Sequence, residues 1–164
     1  MAVKEQHAAV ADVGGDARAG ASYDADFFQW TQTTAEMIRQ GRLAEVDLEH
    51  VAEEIEDMGK RDRREVRSRF GVLIMHLLKW QIQPELRAGS TWRSTIAEQR
   101  KQLRLVVEDS PSLRRILRDE LPKLYKSAVT DAVEEAGLSD DRFPSVCPYT
   151  AEQILDGEFF PEPL

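Results

Sequence analysis

From Tyr23 onward, apolar residues recur at intervals of three and four, the spacing that gathers side chains on one face of an α-helix. Phe27, Trp30, Thr34, Met37 and Ile38 form the first stripe. Asp26 stands before it as an N-cap with Gln29 at capping-box spacing, so the pattern predicts a helix over 27–40 closed by Gly41. A second helix starts at Asp47 and places Leu48, Val51, Ala52, Ile55 and Met58 along one face, with Gly59 as its end or a bend. The charged residues 60–69 lead into a helix over 70–83 that Pro84 stops. Within it, residues 72–78 are apolar all round the circumference except at His76, which assigns this segment to the middle of a bundle.

Ser90 or Thr91 can cap the next helix, whose stripe is Trp92, Ile96, Gln99, Leu103, Val106 and Val107. Ser110 followed by Pro111 reads as an N-cap with proline at the first helical position, opening a helix that reaches Ala136 before Gly137. Pro122 inside it is expected to bend or break the helix near 118–121. Phe143-Pro144 and Cys147-Pro148-Tyr149 then form an extended strap, followed by a short helix that Thr150 and Gln153 begin with a second capping box. No alternating strand pattern and no tandem repeat interrupts this series. The fold class is therefore all-α, a bundle of about five main helices with a C-terminal strap and short helix. Residues 1–22 are rich in Ala and Gly without apolar period and are expected to form a flexible tail, leaving 23–164 as a single helical domain.

Composition narrows the classes further. Of 164 residues, 41% are hydrophobic and 32% charged, polar for a globular chain yet apolar enough to build a core. No apolar run approaches the roughly 18 residues of a membrane-spanning helix, and no secretory signal pattern opens the chain. The single cysteine, Cys147, excludes an internal disulfide or a thiolate metal cluster and fits a reducing, cytoplasmic setting. The net charge of −8 is unevenly spread: residues 24–59 and 127–164 are strongly acidic, whereas 60–126 carry the excess of Lys and Arg. Such a contrast suits helices that complement one another within the fold or across an assembly. A nucleic-acid footprint through Arg63, Arg64, Arg67, Arg93, Arg100 and Arg104 is the less favoured alternative, because the summed negative field repels a polyanion.

The polar residues set among apolar ones carry what chemistry the sequence offers. A buried imidazole at His76 needs partners, since an unpaired buried polar group costs about 1–3 kcal/mol. Glu54 at the border of the second stripe, Gln99 within the fourth and Arg100 beside it are candidates for one buried network with His76. Lys79, one turn further on, can carry its ammonium to solvent along its aliphatic stem. A carboxylate beside an imidazole is an acid/base pair or two metal ligands, so a metal-assisted hydrolase using Glu54 and His76 is one reading. The favoured reading is structural, because zinc chemistry usually takes three protein ligands. His50, Glu53, Glu54 and Asp57 share one side of a helix but lack the partner motif of a carboxylate-bridged two-metal bundle, so they read as a solvated acidic face with no metal and no cofactor. Cys147 has no basic neighbour to stabilise a thiolate and reads as packed. Trp30, Trp80, Trp92 and Tyr125 read as core aromatics.

Several stretches together resemble a known family. Val51-Ala52-Glu53-Glu54-Ile55-Glu56, His76-Leu77-Leu78-Lys79-Trp80, Trp92 with Arg100, Ser110-Pro111-Ser112-Leu113, Phe143-Pro144 and Cys147-Pro148-Tyr149 are similar to the bacterial family filed as domain of unknown function 29, over about 23–161. The resemblance implies an all-helical bacterial protein with Glu54, His76, Lys79, Trp80 and Arg100 in the family pattern. It implies no activity. The functional expectation is accordingly a non-enzymatic module that binds another protein or itself.

Overall fold

The computed structural model describes residues 23–163, and the expected tail over 1–22 lies outside them. Among the described residues there is no strand, and no helix is long and apolar enough to cross a membrane. The helices are α1 (Phe27–Arg39), α2 (Leu48–Ile82), α3 (Trp92–Asp109), α4 (Leu113–Ala136) and α5 (Ala151–Leu155), joined in part by short 3₁₀ turns. The fold is an all-α bundle, as the periodicity predicts. Its residues divide into two compact units whose boundary falls within α2, between Glu56 and Asp57.

The N-terminal unit holds α1 and the first turns of α2. Asp26 caps α1 by accepting the Gln29 amide at 2.9 Å, but the Gln29 side chain bonds Thr33 instead of reaching back, so only half of the capping box forms. Asp47 accepts the His50 amide at 3.2 Å and starts α2. Gly41 takes φ +73°, a left-handed turn that side-chain-bearing residues adopt only with strain. The apolar stripes of this unit are only partly covered: Leu48, Ala52 and Ile55 are exposed, as are Phe27 and Ile38 on α1, while Trp30 and Thr34 are buried.

The C-terminal unit builds the core. Phe70, Leu73, Ile74, Leu77 and Leu78 of α2 pack with Ile96, Leu103 and Val107 of α3 and with Leu117, Tyr125 and Ala128 of α4. Each such large side chain contributes about 1.5–3 kcal/mol when fully buried. The expected all-round apolar segment is thus at the centre. His76 departs from it, lying half-buried rather than enclosed.

Three boundaries differ from expectation. Gly59 neither ends nor interrupts α2, since its φ stays helical and nothing crowds the position. Ser110 closes α3 instead of opening α4: its amide donates to Val106, and Pro111 and Ser112 form a turn, so α4 starts at Leu113. Pro122 does not break α4; it is exposed on the outer side while Leu117, Leu124 and Tyr125 anchor the helix on both sides of it. At the far end, Gly137 with φ +62° ends α4 as predicted. The strap returns to the bundle through the Tyr125 hydroxyl, which donates to the Pro144 carbonyl at 2.6 Å, and the Tyr149 hydroxyl, which donates to Gln81. Thr150 and Gln153 complete both halves of their capping box at α5.

Candidate functional site

The sequence singled out Glu54, His76, Lys79, Gln99 and Arg100, and the fold distributes them among four arrangements. Glu54 belongs to the N-terminal unit, where its carboxylate accepts a hydrogen bond from the Tyr23 hydroxyl at 2.7 Å. That bond, with nearby carboxylates, pushes the Tyr23 phenol up to about 12. Tyr23 also lies against the His50 ring at 4.2 Å and the Trp30 ring at 4.9 Å, and Phe27 stacks on Trp30 at 5.8 Å. His50 Nδ1 stands 2.6 Å from Asp47 Oδ2. This contact raises the imidazole pKa above its usual value and lowers that of the Asp47 carboxyl. The result is an aromatic and ionic clasp between α1 and α2 built from Tyr23, Trp30, Asp47, His50 and Glu54.

His76 and Lys79 do fall near each other in the C-terminal unit. His76 Nδ1 lies 2.9 Å from the Val72 carbonyl, and a carbonyl only accepts, so Nδ1 carries the proton and the neutral ring keeps its lone pair on Nε2. Burial lowers the His76 pKa and holds the ring neutral. Lys79 does not reach solvent along its stem; it is buried, donates to Glu135 at 2.5 Å and lies 5.2 Å from the Trp92 ring centre. A carboxylate on α4 supplies the counter-charge that keeps this ammonium inside, and it is itself lowered by the lysine. Glu135 escapes sequence reasoning because it sits on the exposed side of the α4 stripe; only its spacing of one turn from Ala132 and two from Ala128 hints that it borders the core.

Gln99 and Arg100 are adjacent yet serve different elements. Gln99 accepts from Arg69 at the edge of α2. Arg100 is buried at 3% exposure and holds the strap: its Nε donates to the Ile154 carbonyl at 2.9 Å, Nη1 to Gly157 at 3.2 Å and Nη2 to Phe159 at 2.7 Å. Its guanidinium also lies 5.3 Å from the Phe160 ring centre, with Arg93 at the same distance from that ring. Burial lowers the Arg100 pKa, opposed in part by the nearby Asp156 and Glu158 carboxylates. Each member of the expected network of Glu54, His76, Gln99 and Arg100 thus has its own partner: Tyr23 for Glu54, the Val72 carbonyl one turn back on the same helix for His76, Arg69 for Gln99 and the strap carbonyls for Arg100.

The other candidates also resolve. Arg63 and Arg67 converge on Glu120, with Arg67 at 2.8 Å, while Arg100 is committed to the strap. Of the arginines named for a nucleic-acid face, Arg63, Arg67 and Arg100 are therefore engaged with different elements. Cys147 is half-buried and its thiol is pushed up by burial, a packed side chain in character. Trp30, Trp92 and Tyr125 are buried, and Trp80 is partly so, its ring 4.8 Å from Phe160 and 4.6 Å from the Arg87 guanidinium. Among the described residues no three His, Cys, Asp or Glu side chains converge as a metal site would require.

The N-terminal unit leaves several large apolar side chains exposed. Phe28 is 73% and Ile55 64% exposed, with Phe27, Ile38, Leu43 and Leu48 also open. Around these side chains residues 23–56 carry nine carboxylates and only two arginines. The family model described as Domain of unknown function DUF29 matches residues 22–160. No curated protein matches the chain, and neither does any solved structure.

Proposed function

The chain belongs to the DUF29 family, whose description assigns no activity, and we propose that it is a protein-interaction module whose N-terminal unit receives a basic amphipathic helix from a partner. The observation that carries this reading is the exposure of Phe27, Phe28, Leu48 and Ile55 on a unit that encloses little apolar surface of its own. Helical stripes at regular spacing lose free energy in water, at roughly 25 cal/mol for each Å² left uncovered. So many large apolar side chains left open on so short a stretch favour an interaction surface over a monomer's scattered exposure. Charge selects the occupant. Nine carboxylates against two guanidiniums give residues 23–56 a net charge of −7. That field attracts Lys and Arg flanking an apolar stripe and repels the same face of a second copy. Setting such a module in a bacterial cytoplasm belongs to the same reading and is supported by its single cysteine.

The test is a titration of the full chain into fluorescent helical peptides with one Leu-rich face and either Lys or Glu on the other. The basic peptide is expected to bind with an affinity that falls as salt rises, and Phe28→Ser with Ile55→Ser to weaken it at least about tenfold. Equal binding of both peptides, or none of either, would overturn the proposal. Sedimentation of the chain alone as a concentration-dependent dimer, blocked by the same two substitutions, would replace the foreign helix with a second copy.

A further inference from the structure

The C-terminal unit contains a separate feature that the interaction reading leaves unused. Between α3, α4 and α5 lies a cavity of about 360 Å³. Leu103, Val107 and Ala151 form its apolar floor, and all three are buried. Arg104 and Arg114 line its mouth from α3 and α4, and neither guanidinium makes a hydrogen bond or ion pair among the described residues. Arg118 is already paired with Glu152, and Arg100 with the strap carbonyls. Asp156 is turned toward the backbone, where it accepts the Glu158 amide at 3.0 Å, and its charge lies near Arg100. Glu108 is the remaining acid of the lining.

We propose that this cavity binds a small amphipathic anion, its apolar body on Leu103, Val107 and Ala151 and its carboxylate or phosphate head held by Arg104 and Arg114. Two facts of chemistry favour that class. A guanidinium offers paired N–H donors whose fork matches carboxylate and phosphate oxygens, and charge-assisted pairs are roughly twice as strong as neutral hydrogen bonds. The volume falls at the low end for small-molecule sites, which combine an apolar lining with a few polar groups that fix orientation. A large ligand does not fit. A compact anion without an apolar body, such as inorganic phosphate, leaves the floor uncovered. The site uses residues of the C-terminal unit alone, so it stands or falls independently of the helix-docking surface.

The experiment titrates octanoate, octyl phosphate, 1-octanol and inorganic phosphate into the full chain, read by calorimetry and by amide chemical shifts. Either or both octyl anions are expected to bind, the tighter one identifying the head group, and to exceed octanol and inorganic phosphate by at least about tenfold. Arg104→Met with Arg114→Met is expected to remove that advantage, while Glu108→Gln, which lifts the nearest uncompensated negative charge, strengthens binding severalfold. Both variants alter exposed side chains, and a thermal melt matching the parent confirms that they fold. Octanol binding as tightly as octanoate, anion binding unchanged in the double arginine variant, or no shift at 103, 107 and 151 with any probe would overturn the proposal.

Discussion

Replacing Arg100 with Met retains the aliphatic stem in the core and removes three donors from the strap. The cost follows from where the orphaned carbonyls lie. The Ile154 carbonyl is bonded in a buried setting, so its loss carries the penalty of an unsatisfied buried acceptor, about 1–3 kcal/mol. The Gly157 and Phe159 carbonyls are partly accessible, and water replaces the guanidinium there at about 0.5–1 kcal/mol each. Relief of the desolvated charge, the same burial that lowers the Arg100 pKa, offsets part of this. The expected net loss is about 2–4 kcal/mol, or about 4–16 °C in Tm for a chain of this size. Urea unfolding followed by tryptophan fluorescence measures it, and hydrogen exchange at 157–160 shows whether the strap opens first. Because the acceptors are neutral carbonyls, the loss should be nearly independent of salt. Arg100→Lys should recover less than half of it, since an ammonium cannot span three carbonyls as the planar fork does. A loss below about 0.5 kcal/mol in Arg100→Met, or one abolished by 0.5 M salt, would refute the clamp.

Three further outcomes follow from the same geometry. His50 has a folded pKa above its unfolded value, so its contribution is fully present below about pH 6.5 and fades as pH rises through the folded value. Asp47 has a lowered folded pKa, so its contribution is lost as pH falls through that value. The clasp is therefore strongest between these two limits, and Asp47→Asn should flatten the Trp30 fluorescence change across neutral pH. His76 behaves oppositely to His50: with its folded pKa lowered, it costs stability as pH drops below the unfolded value. His76→Leu should gain stability relative to the parent at pH 5.5 and change little at pH 7.5, which urea midpoints at the two pH values report. Pro122→Ala restores a helical amide at an exposed position inside α4 and should stabilise by about 1–2 kcal/mol, part of the roughly 3 kcal/mol helix penalty being offset by greater unfolded-chain freedom. An unchanged urea midpoint would mean that the surrounding helix has already accommodated the proline.

Local signals told most about where helices begin and end. Asp26, Asp47, Thr150 and Gly137 act at the ends for which their chemistry suits them, because caps depend on residues only a few positions away. Ser110 misled because a serine before proline suits an N-cap and a C-terminal turn alike, and Val106 settles the choice by accepting its amide. The stripe at Leu48, Ala52 and Ile55 misled for a different reason. Periodicity shows that a face wants to be covered, not that the chain itself covers it. Arg100 and Lys79 were legible as polar residues at core positions, but their partners were not: three backbone carbonyls over fifty residues away, and a glutamate on the outer edge of α4. Carbonyl acceptors leave no mark in the sequence, and an edge glutamate resembles any solvated one.

The most direct test of the interaction account is to follow backbone amide chemical shifts as the Lys-faced amphipathic peptide is added. The account predicts saturable shifts concentrated in residues 27–56, around Phe28, Leu48 and Ile55, that vanish in the Phe28→Ser, Ile55→Ser variant. Shifts scattered over the C-terminal unit with residues 27–56 unmoved would contradict it.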